Sequence, residues 1–203
     1  MEENYNSLCN LPSDINEHLP ILCKYAKECE SIIECGVRKC VSSWALAFGL
    51  LNNNKSIKKL LSNDLIKCDI DELLDETKYL PIEVTYQWKN NLELELTSNY
   101  DMIFIDTWHV YGQLKRELCK FSPIINKYII MHDTTIDEID GETIRLNWNA
   151  NKQSEETGYT IDEIKSGLGK AINEFLENNN DWILIEKLTN NNGLTILKRK
   201  EIY

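Results

Sequence analysis

The chain has 203 residues, with 22 Lys and Arg against 33 Asp and Glu and a formal net charge of −11. That balance repels phosphate backbones and anionic lipid, so neither nucleic acid nor a membrane surface is expected as a partner, and no apolar run approaches the roughly 20 residues of a membrane span. The length suits one domain over 1–203 with a substantial core.

The opening MEENYNSLCN has neither the basic region nor the apolar core of a secretory signal. Ser13 is a candidate N-cap for a helix over SDINEHLPILCKYAKEC, whose apolar positions 15, 19, 22 and 26 have helical spacing, although Pro20 interrupts a regular start. A helical extension over 1–30 is therefore expected ahead of the first strand, SIIEC. VSSWALAFGLL reads as a helix, DLIKCDI as a second strand, IEVTY as a third and DMIFID as a fourth. A helix through YGQLKRELCKF and a fifth strand, NKYIIMHD, follow. Residues 134–160 are polar without clear periodicity and long for a plain loop, which suggests a lid or substrate-contact segment. TIDEIKSGLGKAINEFLEN reads as one helix, and DWILIEKL and GLTILKRK as two strands joined through an Asn-rich turn with Gly193. Strands alternating with helices predict an α/β fold with parallel strands and right-handed crossovers, and the closing hairpin predicts an antiparallel last strand.

Seven cysteines stand at positions 9, 23, 29, 35, 40, 68 and 119, an odd number without C-x-x-C spacing. A zinc ribbon or dithiol redox motif is therefore disfavoured, and a reducing, cytoplasmic setting is expected.

Ligands of such sheets bind beyond the carboxyl ends of the strands. Gly36, directly after the first strand, permits a tight turn or close backbone approach. Asp69, with Asp71 as competitor, is the acid after the second strand and suits the hydroxyls of a ribose. Asp106 ends the fourth strand and His132-Asp133 the fifth, so carboxylates of neighbouring strands face one cleft and suit Mg²⁺. His109, one turn beyond Asp106, is placed to take a proton from a hydroxyl, and an ordinary imidazole pKa near 6.5 suits that role. The plainer alternative is a strand-to-helix turn, helix caps and a surface histidine. Trp44, Trp88, Trp108 and Tyr111 are candidates for stacking on a base or sugar ring, with Trp44 better read as core.

In combination these features resemble the class I S-adenosylmethionine-dependent methyltransferases, a Rossmann-like seven-stranded sheet with helices on both faces. More narrowly, SDINEHL, ECGVRKCVSSWAL, IDTWHVYGQLKREL, IIMHDT and NNNGLTIL resemble the small-molecule and sugar O-methyltransferases of the cephalosporin-hydroxylase and macrolide-sugar methyltransferase group, over about 13–200. The resemblance implies that Glu34, Gly36, Ser42, Asp69 and Asp106 contact S-adenosylmethionine. It further implies His109 as general base with Asp106 beside it, and Asp106, Asp133 and His132 as ligands of Mg²⁺ or Mn²⁺. The acceptor would be a small molecule, a sugar or nucleotide-sugar, and a homodimer is compatible with it. Two positions depart from the pattern: Cys40 stands where the loop usually has its last glycine, and His132 where metal-dependent relatives often have an acid. A nicotinamide oxidoreductase is disfavoured because G-x-G-x-x-G is missing. A non-catalytic cofactor- or sugar-binding module on the same fold is the main alternative.

Overall fold

In the computed structural model, which describes residues 1–200, a seven-stranded sheet has the order β3-β2-β1-β4-β5-β7-β6. The strands are β1 (Ser31–Cys35), β2 (Lys59–Asp64), β3 (Glu83–Trp88), β4 (Tyr100–Ile105), β5 (Ile125–His132), β6 (Trp182–Leu188) and β7 (Leu194–Arg199). The first five are mutually parallel, and β7 lies antiparallel between β5 and β6. The strand order reverses between β1 and β4, and a cleft opens there beyond the carboxyl ends.

The apolar strands alternate between two cores. Ile32, Met102, Phe104 and Ile130 face α1 (Glu2–Asn10), α2 (Leu19–Ala26), α3 (Val41–Leu51) and α4 (Asp71–Thr77). Ile33, Ile103, Ile105 and Ile129 face the other way, toward α5 (Tyr111–Phe121) and, after α6 (Glu142–Arg145), α7 (Ala150–Thr157) and α8 (Ile161–Lys165), toward α9 (Leu168–Asn178). The expected α/β sheet, with helices on both faces and an antiparallel final strand, is the observed one.

Four local expectations change. The second strand is KLLSND, five residues or more ahead of DLIKCDI; Leu65 and Ile66 are apolar but 68% and 72% exposed, whereas Ser62 and Asn63 are buried. The N-terminal extension holds two helices, and Ser13 does not cap α2. Its hydroxyl accepts from the backbone of Ile15 and Asn16, a 3₁₀ turn Asn16–His18 follows, and Pro20 falls in the first turn of α2, where its missing N–H costs nothing. The single helix expected over 160–178 breaks at Ser166-Gly167, because Ser166 bridges to Asp140 and a β-carbon at Gly167 would meet the Asp137 carbonyl oxygen at 2.4 Å. The 134–160 stretch is folded around α6 and α7. Among the described residues, no helix is long and apolar enough to cross a membrane.

Candidate active site

β1 delivers Glu34 and the loop after it to one side of the cleft. Gly36 has φ +96°, and a β-carbon there would lie 1.8 Å from the carbonyl oxygen of Asp106. The close approach that glycine permits is thus to the end of β4. Backbone bonds Asp106 N to Cys35 O (2.8 Å) and Gly36 N to Asn63 O (2.9 Å) lock the three strand ends together. Cys40 sits at φ +61° as the residue before α3, so the left-handed turn is kept although glycine is absent. That conformation costs a side-chain-bearing residue about 1–2 kcal/mol.

Glu34 is fully buried. The hydroxyls of Ser42, Ser43 and Ser62 donate to its carboxylate at 2.6, 2.7 and 2.6 Å. Burial pushes its carboxyl up, and the three hydroxyls oppose that shift. Its oxygens are therefore occupied inside the protein, and its influence on the cleft passes through the loop and Ser42. The cleft, of about 460 Å³, is lined by Ser42, Asp106, Arg38, Asp14, Ile15 and neighbours. Arg38 pairs with Asp14 at 2.5 Å across its mouth.

Asp69 lies outside this frame. It is exposed, five residues beyond β2, and accepts from its neighbour Asp71 N at 3.2 Å. The acid that ends β2 is Asp64. It accepts from the backbone N–H of Val37 and Arg38, at 2.8 and 3.0 Å, and from Ile66 at 2.8 Å. Burial alone would raise its carboxyl, but these donors outweigh it and hold Asp64 below the usual carboxylate range.

On the other side, β4 and β5 bring Asp106, His109, His132 and Asp133 together. Asp133 adopts φ +56°, a left-handed turn that aspartate tolerates. His109 Nε2 bonds Asp106 Oδ1 at 3.2 Å, while His109 Nδ1 lies 3.0 Å from Asp133 and 3.2 Å from Asp137. His132 Nδ1 lies 3.5 Å from Asp106 and 3.2 Å from Asp133, and its Nε2 donates to Asn191 O at 3.1 Å. Burial opposes charge on every one of these groups. The imidazoles nevertheless hold Asp106 far below the carboxylate range, and Asp106, Asp137 and Asp133 raise His109 well above an ordinary histidine. His132 is raised as well, and burial raises Asp133 against the pull of the imidazoles. The ordinary pKa expected of His109 is thus replaced by an imidazolium-favouring one, because three carboxylates surround the ring.

Sequence reasoning missed Asp137, Glu142 and Arg145. Asp137 is fully buried and receives two bonds from Arg145, at 2.7 and 2.8 Å. The start of α9 holds its backbone: Gly167, Leu168 and Gly169 N–H groups donate to the carbonyls of Ile139, Asp137 and Glu138. Glu142 N donates to His109 O at 2.9 Å. The four-residue spacing of Asp133 and Asp137 was the available signal, since one helical turn joins them through Asp137 N to Asp133 O. The 134–160 stretch therefore reaches the cleft through Asp137, Glu142 and Tyr159, which stacks on Trp108 at 6.0 Å. Trp44 is core, Trp88 is 61% exposed with its indole donating to Leu65 O, and Tyr111 is buried and bonded to Glu174.

One ligand atom each from Asp106, His109 and Asp133 lies within 4.8 Å of the others. His109 Nδ1, His132 Nδ1 and Asp133 Oδ1 are buried without an aligned hydrogen-bond partner. His132 donates through Nε2, so the Nδ1 of a neutral ring turns a lone pair toward two carboxylates. That arrangement calls for a proton or a cation. Two carboxylates with imidazole suit Mn²⁺ at least as well as Mg²⁺.

No family model matches the chain, and no curated protein matches it. Solved structures do. The O-methyltransferase TomG from Streptomyces achromogenes, in complex with S-adenosylmethionine, is 13% identical over 94% of this chain and 82% of its own, with a TM-score of 0.59. An O-methyltransferase from Bacillus cereus with S-adenosylhomocysteine is 14% identical over 98% and 90%, TM-score 0.57. The N-methyltransferase NodS from Bradyrhizobium japonicum, also with S-adenosylhomocysteine, is 12% identical over 98% and 99%, TM-score 0.53. At these identities the likeness establishes the fold, and the fold carries both oxygen and nitrogen acceptors among these neighbours.

Proposed function

We propose that this chain is an S-adenosylmethionine-dependent O-methyltransferase acting on a hydroxyl of a small molecule, a sugar or nucleotide-sugar. The observation that carries this is the group Asp106, His109 and Asp133, set at the ends of β4 and β5 beside the 460 Å³ cleft. A hydroxyl bound there attacks the sulfonium methyl, the carbon–sulfur bond breaks as the carbon–oxygen bond forms, and S-adenosylhomocysteine leaves. The hydroxyl proton passes to His109 in its neutral form, whose ring Asp106 orients; because three carboxylates favour the imidazolium, transfer is expected to rise with pH. Alignment of hydroxyl and methyl supplies much of the rate, about 7–11 kcal/mol in favourable cases.

Gly36 and Ser42 shape the wall that meets the cofactor's methionine end, with Glu34 behind them. The ribose hydroxyls fall to an acid beyond β2, for which Asp64 has the position and Asp69 is the more distant candidate. A Mg²⁺ or Mn²⁺ ion held by Asp106, Asp133 and His132 would lower the pKa of the acceptor hydroxyl and leave His109 free as base. The tighter cluster instead includes His109 as ligand, and the two roles exclude each other. Seven free cysteines support a reducing cytoplasm.

Calorimetry with S-adenosylhomocysteine tests the cofactor; absence of heat and of a thermal shift refutes it. Mass spectrometry of sugars and nucleotide-sugars incubated with protein and S-adenosylmethionine tests the acceptor. A gain of one methyl is expected, and turnover only on non-sugar hydroxyls would replace the acceptor class.

A further inference from the structure

Glu117, on α5, is fully buried, and nothing in the proposed reaction uses it. Three side chains donate to the same oxygen: Asn91 Nδ2 at 2.5 Å, Thr107 Oγ1 at 2.7 Å and Gln113 Nε2 at 2.8 Å all reach Oε1. Its other oxygen, Oε2, is buried with no partner, and so is the indole nitrogen of Trp108. Both residues line one small cavity of about 10 Å³, together with His109 and His132. A buried acceptor and a buried donor left unpaired are both destabilising, and native proteins rarely leave them so. A space of roughly this size holds one water when polar groups line it, whereas apolar cavities stay dry.

We propose that this cavity holds one water molecule, which donates to Glu117 Oε2 and accepts from the Trp108 indole N–H, and that Glu117 thereby acts as a positioning residue for the segment carrying Asp106 and His109. Thr107 and Trp108 are the two residues between that acid and that histidine. Glu117 grips the first directly and the second through the water. The same carboxylate ties in Asn91 beyond β3, and Gln113 extends the network to the Tyr159 hydroxyl at 2.9 Å. The β3 end, the β4 end and the 134–160 stretch thus share one buried acid. The water stands independently of the proposed reaction; the positioning rests on it.

The water is read directly in the wild-type protein with ¹⁵N-labelled tryptophan. The indole proton assigned to Trp108 by its loss in Trp108→Phe should show a cross-peak to long-lived water, and a well-folded protein without that cross-peak overturns the proposal. Positioning is read by Mn²⁺ affinity. Glu117→Gln keeps polar atoms toward all its partners and should retain both the cross-peak and the affinity. Glu117→Leu should lose the cross-peak and weaken Mn²⁺ about tenfold or more, the usual cost of removing a group behind metal ligands. Should Glu117→Leu fail to fold, Trp108→Phe strands no donor and should weaken Mn²⁺ in the same direction. Unchanged Mn²⁺ affinity in either folded variant overturns the positioning role. A wild-type protein that binds S-adenosylhomocysteine but no Mn²⁺ overturns it together with the cation, while binding of neither refutes the proposed function and leaves the cross-peak to decide on the water.

Discussion

On the β1–β2 side of the cleft, Glu34 is satisfied by three serine hydroxyls and Asp64 by three backbone N–H groups. On the β4–β5 side, Asp106, Asp133 and Asp137 face two imidazoles and the Arg145 guanidinium. Hydroxyls and amides are neutral dipoles fixed by the fold, and they leave an acid nothing to exchange. Imidazolium and guanidinium are charges that a metal ion or a proton can replace. The first pair of strands therefore builds the loop, and the second pair carries the charges that a proton or a cation can exchange with.

The largest effect should fall on the reacting side. His109→Ala should cut turnover by about 10²–10⁴-fold without restoration by added Mg²⁺ or Mn²⁺, whereas Asp106→Asn should be partly restored by excess metal. Recovery of His109→Ala by metal would make the histidine a ligand and remove it as base. Next, Glu34→Ala should lose about 3 kcal/mol or more of stability in urea unfolding, because three buried hydroxyls lose their acceptor. A loss below about 1 kcal/mol would show that the building role is misassigned.

Affinity for S-adenosylhomocysteine sharpens the contrast within the building side. Asp64→Ala should weaken it by about 1–3 kcal/mol, the range for charge-assisted hydrogen bonds, and more than Asp69→Ala does. The reverse order in calorimetry would favour Asp69 as the ribose acid.

The smallest effect lies behind the reacting side. His18 is fully buried beside His132, with neither ring nitrogen paired, and burial lowers its pKa to about 4. Unfolding returns it to about 6.5, so between these values the unfolded chain binds the extra proton. Its contribution is complete above pH 6.5 and is lost as pH falls toward 4, amounting to about 1 kcal/mol by pH 5.5. His18→Phe should flatten the thermal-melting profile over that interval; an unchanged slope would show that His18 does not titrate alone.

Much of this arrangement was legible in the sequence. β1, β4 and β5 announce themselves as apolar runs stopped by a glycine or an acid, and the acids fall where the parallel sheet converges. β2 was hidden because Ser62 and Asn63 are buried for their hydrogen bonds, to Glu34 and to the backbone of Gln87 and Lys89. The exposed Leu65 and Ile66 mimicked a strand in its place, so the acid expected at its end, Asp69, lies five residues beyond β2. Asp137 and Arg145 lie in a stretch with no period to read, and the backbone that presents Asp137 is held by the start of α9, about 30 residues on. The raised pKa of His109 is likewise a property of carboxylates drawn from two parts of the chain, Asp106 after β4 and the Asp133–Asp137 turn after β5.

Gly36 has a consequence for anyone who would re-engineer the acceptor. With the Asp106 carbonyl oxygen 1.8 Å from where a β-carbon would be, the loop after β1 and the loop after β4 fit as key and ward. A new β4 loop grafted from another protein would shift the seat of residue 36, and under the proposed function cofactor grip would drift with acceptor choice. The two segments should be exchanged as one cassette, and libraries that randomise either alone should return chiefly variants that lose both properties together.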